Sequence, residues 1–209
     1  MRIHQLLSPA LSLSFSLTAA GYQTAISKYV AADSAKRPSG NLKPLLAGIS
    51  ITFPLSLVTN AILFFSADPI GIFLLKDHRT VPMLRILSFS VPFAALHACI
   101  NGYFYGKKKA SVPALTQLLE QLARVSCVFL VTGADLAEGR TPSINAAVLG
   151  LTVGEIFSML IALVCLYIHL YPDSSILSLQ NICPSVPVYR DLLGMALPLT
   201  ANRIILNIL

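Results

Sequence analysis

Residues 116–131 read TQLLEQLARVSCVFLV, and this stretch decides how the chain is to be read. Glu120 and Arg124 stand four residues apart, a spacing that on a soluble helix makes a routine surface ion pair. Here the residues around them offer no polar face for such a pair. Leu118, Leu119, Leu122, Val125, Val128, Phe129, Leu130 and Val131 surround the two charges. What the pair does therefore depends on the solvent around its helix, and composition identifies that solvent.

The chain has 209 residues, of which 55% are hydrophobic and 11% charged. Soluble domains carry about 25% charged residues. The mean hydropathy is +0.73, which puts the chain in the membrane class. Its net charge of +6 does not indicate nucleic-acid binding. The bases sit in short runs between apolar segments, as membrane loops do. Cys99, Cys127, Cys165 and Cys183 form no CxxC motif, have no histidine at ligand spacing, and read as small packing residues. The start, MRIHQLLSPALSLSFSL, lacks a small-residue cleavage site after a short apolar core and reads as a span, not a signal peptide.

A membrane helix needs about 20 mostly apolar residues. Five stretches meet this, at roughly 6–32, 44–66, 81–104, 112–134 and 144–171, and a sixth begins near 188. LSLSFSL alternates like a strand, but its stretch is too long for one. The expected fold is all-α: a polytopic transmembrane bundle in a single domain, 1–209. Short connections place successive loops on opposite sides. One side then holds Lys28, Lys36, Arg37, Lys43, Lys107, Lys108, Lys109 and Arg190, and the other Arg2, Lys76, Arg79 and Arg140. The richer side should face the cytoplasm. Residue 1 then lies outside, and the sixth span is cut, as expected for a piece of a longer membrane protein. Pro54, Pro92 and Pro198, with Gly21 and Gly102, mark places where spans bend or pack. ADPIGIFLLKD is too short to cross and is expected at the interface.

A charge at the bilayer centre costs about 2.5–3.5 kcal/mol on insertion scales. Glu120 and Arg124 share a helical face and neutralise each other, with Gln117 and Gln121 on or beside that face. Two readings stay open: a clamp that fixes helix packing, or a polar pathway in which Arg124 meets an anionic substrate. Arg203 is a candidate phosphate ligand or a snorkelling residue. Glu155 has no partner at helical spacing. His97 and Asn101, four apart, form a smaller polar patch, with His97 more commonly a packing or hydrogen-bonding residue than a ligand. No catalytic arrangement appears, and GYFYGKKK lacks the strand and the Ser/Thr of a phosphate loop. It reads as an interfacial helix end and a basic turn that attracts anionic lipid heads. The chain is not expected to be an enzyme or to hold a cofactor or metal.

The segment VPFAALHACINGYFYGKKKASVPALTQLLEQLARV (91–125) resembles the stage V sporulation protein B branch of polysaccharide exporters. That branch belongs to the multidrug/oligosaccharidyl-lipid/polysaccharide flippase superfamily, with lipid II flippases and multidrug extrusion proteins as relatives. AAGYQTAISKYVAADSAK (19–36) looks like the family's second helix and LLGMALPLTANRIILNIL (192–209) like the onset of its seventh. The resemblance implies a partial N-terminal lobe, helices two to seven, of a two-lobe transporter. It implies flipping of a polyprenyl-diphosphate-linked oligosaccharide or lipid II-like peptidoglycan precursor across the cytoplasmic membrane. Partners would be that substrate, membrane lipids and a second lobe. Substrate-binding candidates are Arg124, Arg203, Glu120, Gln117, Gln121 and Asn101. An ion-coupled drug exporter using Glu120 or Glu155, a membrane-embedded glycosyltransferase, and a truncated inactive remnant are the alternatives. The few loop acids, Asp77, Asp135, Glu138 and Asp173, disfavour the transferase.

Overall fold

Seven helices follow from these segments in a computed structural model, which describes residues 18–19, 21–36, 42–74, 78, 80–137, 145–171 and 186–208. They are α1 (Gly21–Lys36), α2 (Lys43–Phe65), α3 (Thr80–Ser88), α4 (Ser90–Gly106), α5 (Ser111–Ala137), α6 (Asn145–Leu170) and α7 (Val186–Ile208). Among the described residues all regular structure is helical, so the expected all-α bundle is what forms. Among the described residues four helical stretches are long and apolar enough to cross a membrane: α2, α3 with α4, α5 and α6. The first half of the first expected span lies outside the described residues.

Local chemistry fixes the ends and bends. Pro44 sits in the first turn of α2, where a missing N–H costs nothing. Pro54 lies inside the same helix, and nearby hydroxyls fold back on carbonyls as membrane helices require. Ser50 Oγ donates to Ala47 O at 2.9 Å, Thr52 Oγ1 to Gly48 O at 2.9 Å and Ser56 Oγ to Phe53 O at 2.7 Å. The span expected at 81–104 is broken at Phe89 into α3 and α4. Pro92 explains the break, because it offers no N–H to the carbonyl of Ser88. Ser88 and Ser90 take up the local polar needs by donating to Arg85 O and Leu87 O. The interfacial segment forms a helical turn at Ala67–Pro69 and a wider π turn at Ile70–Leu74. It is tied to α3 by Arg85 and Asp68 at 2.7 Å.

Helix α4 is the hub, with α1, α2 and α6 packed around it. Its Cys99, Ile100, Tyr103 and Phe104 interlock with Tyr22, Ile26 and Val30 of α1, Leu45 of α2, and Leu192 and Ala196 of α7. A smaller cluster of Ala67, Met83, Leu84, Leu87 and Val148 closes the other end. Close approach of α1 and α4 depends on Gly102 and Gly106. A Cβ on Gly102 would stand 2.6 Å from Gln23 O, and one on Gly106 would stand 2.7 Å from Ser27 O. Helices α5 and α6 pair mainly with each other. The outer face of α5 carries exposed Leu118, Leu122, Val125, Phe129 and Leu130, the surface a membrane helix turns to lipid or to a neighbouring bundle.

Candidate functional site

The polar residues of three helices meet where α4, α5 and α6 face one another. His97 and Asn101 project from α4 one turn apart, and Asn101 Nδ2 lies 2.8 Å from His97 Nε2. Thr116 and Glu120 are on the buried stripe of α5, with Pro113. Ser158 and Glu155 come from α6. Ser158 Oγ lies 2.9 Å from His97 Nε2, and Thr116 Oγ1 lies 3.3 Å from it. On the ring's other side, Nδ1 is 3.8 Å from Glu155 Oε2. His97, Glu120 and Glu155 each offer a ligand atom, all within 4.8 Å of one another.

His97, Asn101, Glu120 and Glu155 line a cavity of about 290 Å³ that also touches Gln23, Gln117 and Tyr105. Such a polar pocket inside apolar helices is costly unless it serves a solute or water. Arg124 stands one turn from Glu120 and donates from Nη2 to Glu120 Oε1 at 2.5 Å. Its Nη1 reaches Gln121 Oε1 at 3.4 Å. Arg124 does not line the polar cavity. It opens instead on a second, apolar cavity of about 490 Å³, walled by Val125, Val128, Phe129 and Leu151. The ion pair thus stands between a polar chamber and an apolar one. Gly150 and Gly154 let α6 lie against this part of α5: a Cβ on Gly150 would be 3.0 Å from Arg124 O, and one on Gly154 would be 3.3 Å from Glu120 O.

The candidates read from sequence separate accordingly. Glu120, Gln117 and Asn101 share the polar cavity, and Arg124 and Gln121 flank it. Arg203 is exposed on α7 and is not among the lining residues of either cavity. His97 is a hydrogen-bonding residue, and its ring bridges all three helices. Glu155 gains the partner that helical spacing could not supply, across the helix interface. Linear spacing can reveal i,i+4 pairs only. The signal for the rest was the presence of polar residues within each of three apolar spans, His97 and Asn101 in one and Glu155 in another.

A bundle of helices long and apolar enough to cross a membrane, enclosing a polar cavity, defines the class: a multi-pass membrane protein. The chain belongs to the polysaccharide biosynthesis protein family, whose profile matches residues 5–209. It is similar to Stage V sporulation protein B of Bacillus subtilis (strain 168), with 31% identity over 207 residues. That alignment covers 99% of this chain and 40% of the relative, so the chain spans less than half the length of that protein. No solved structure matches the chain. The resemblance drawn from residues 91–125 therefore holds over nearly the whole sequence.

Proposed function

We propose that this chain forms the substrate-facing part of a membrane flippase for a polyprenyl-diphosphate-linked oligosaccharide or peptidoglycan precursor, acting in the cytoplasmic membrane. The observation that carries the reading is the Glu120–Arg124 pair at the meeting of two unlike chambers. The proposed substrate has the same division: a polar sugar head, an anionic diphosphate and a long isoprenoid tail. A guanidinium is suited to the diphosphate because its planar fork donates two parallel hydrogen bonds. Arg124 exchanges Glu120 for the phosphate oxygens, so no charge is left bare when the substrate leaves. Gln117, Gln121 and Asn101 hydrogen-bond the head, and the groove beside Phe129 takes the start of the tail. No covalent step is needed, which agrees with a transporter and not an enzyme. Alternating access uses two similar bundles rocking about a central site, and in this reading a second bundle completes the path.

Binding tests this directly. The chain in lipid nanodiscs should bind undecaprenyl diphosphate, read by native mass spectrometry. Arg124→Ala should weaken that binding at least tenfold, while Arg124→Lys keeps part of it. Helix content and thermal midpoint serve as controls for folding. Unchanged affinity in a folded Arg124→Ala protein would leave the pair a packing clamp.

A further inference from the structure

We propose that His97, Glu120 and Glu155 form a binding site for a divalent transition-metal cation of the Zn²⁺ and Co²⁺ type. The site shares Glu120 and the polar cavity with the transport reading, but it is argued from donor chemistry alone and can fail or stand independently of it. Its three donors come from three different helices, α4, α5 and α6, which pack against one another, so the arrangement is held by the bundle and not by a mobile loop. All three ligand atoms lie within 4.8 Å of one another. A cation about 2.0–2.2 Å from each donor brings them closer than this by about 1 Å, within reach of rotation in two glutamate side chains.

Charge balance points the same way. Glu120 and Glu155 bring two negative charges, and Arg124 alone among the described Lys and Arg residues is bridged to either. With a neutral imidazole the cluster holds one uncompensated negative charge within the bundle, an expensive arrangement in a low-dielectric interior. A divalent cation removes that excess. Glu120 need not release Arg124 to bind it, since Oε1 holds the guanidinium and the second carboxylate oxygen remains.

The donor set selects among cations. Mg²⁺ and Ca²⁺ favour shells made of oxygen, whereas an imidazole nitrogen with carboxylates suits borderline divalent ions. No thiolate takes part: Cys99, the cysteine of α4, is turned to Thr52 Oγ1 at 3.2 Å, so a soft cuprous ion is disfavoured. The surroundings supply what ligating histidines require, a partner for the other ring nitrogen. A cation on Nδ1, the nitrogen facing Glu155, puts the ring hydrogen on Nε2, where Ser158 Oγ stands ready at 2.9 Å. An independent sign is Asn101, which is only 9% exposed, lines the cavity, and has an Oδ1 with no hydrogen-bond partner among the described residues. That oxygen is a further acceptor in the same cavity with no group among the described residues to satisfy it.

The test uses the tag-free chain in nanodiscs, stripped with EDTA and titrated with Co²⁺. One Co²⁺ should bind per chain, with a visible absorption spectrum of low coordination number, and Zn²⁺ should displace it. Pulsed electron paramagnetic resonance on the wild-type Co²⁺ complex should show coupling to an imidazole nitrogen, a readout that needs no variant. His97→Gln and Glu155→Gln should each weaken binding at least tenfold, and Gln23→Ala, at another residue lining the cavity, should not. Absence of Co²⁺ uptake, uptake without nitrogen coupling, or unchanged affinity in both site variants would each overturn the proposal.

Discussion

Lys108 occupies an unfavourable conformation at the end of the central helix. Its φ is +59°, in the left-handed region that glycine enters most readily. The hydrogen bonds explain why it is there. Lys109 N donates to Phe104 O at 2.9 Å and Lys108 N to Tyr105 O at 3.0 Å, the two bonds of a Schellman cap whose C′ position usually holds glycine. This chain keeps a basic residue where geometry prefers glycine, at a cost of about 1 kcal/mol of strain. Lys108→Gly should raise stability by up to about 1 kcal/mol, read as a higher thermal midpoint in a thiol-dye assay that follows exposure of buried Cys99. A lower midpoint would mean that the lysine side chain contributes more than its backbone costs. The basic turn was legible from GKKKAS alone, but its cap was not, because no glycine marks the C′ position.

At the scale of elements, boundaries were legible because length and breakers control them. Lys43 against an expected 44, Asn145 against 144 and Val186 against 188 follow from prolines and from the limits of apolar runs. The division at Phe89 needed the hydrogen-bond consequence of Pro92 as well as its presence. Rotation of each helix about its axis was not legible, and it is what assembles the site. Two small-residue pairs set that rotation, Gly102 with Gly106 on α4 and Gly150 with Gly154 on α6, each four residues apart as in membrane packing motifs. The first pair seats α4 against α1 and the second seats α6 against α5, contacts that spacing along the chain does not reveal, so Glu155 could not be matched to His97. Gly133 offers a contrast, since nothing lies within 4 Å of a Cβ built there. The same substitution should thus act with opposite sign. Gly102→Ala should destabilise by about 1–3 kcal/mol through overpacking against Gln23, while Gly133→Ala should stabilise by up to about 1 kcal/mol. Equal shifts in thermal midpoint at the two positions would remove close packing as the cause.

For the whole molecule, the arrangement in the membrane follows from charge and from helix direction together. Helix α2 runs away from the end bearing Lys43, and α4 runs back to the end bearing Lys107, Lys108 and Lys109. Asp68 and Arg85 lie at the opposite end, 2.7 Å apart. Orientation tracks lysine and arginine in short loops, not net charge, and with eight bases read on one side against four on the other the triple-lysine turn is expected in the cytoplasm. There it meets the negative lipid surface, where each base contributes about 1 kcal/mol. The proposed polar cavity then lies along the path between the two faces, bounded by Tyr105 near the basic end. Single cysteines in a background lacking the four native ones test the assignment. Ala110 and Pro69 are both exposed, carry no charge, and sit at opposite ends. In intact cells a membrane-impermeant maleimide should label Pro69→Cys and leave Ala110→Cys untouched until the membrane is permeabilised. Labelling of Ala110→Cys from outside would invert the bundle, and the anionic head group would then enter from the face opposite to the one where lipid-linked sugars are assembled in the proposed scheme.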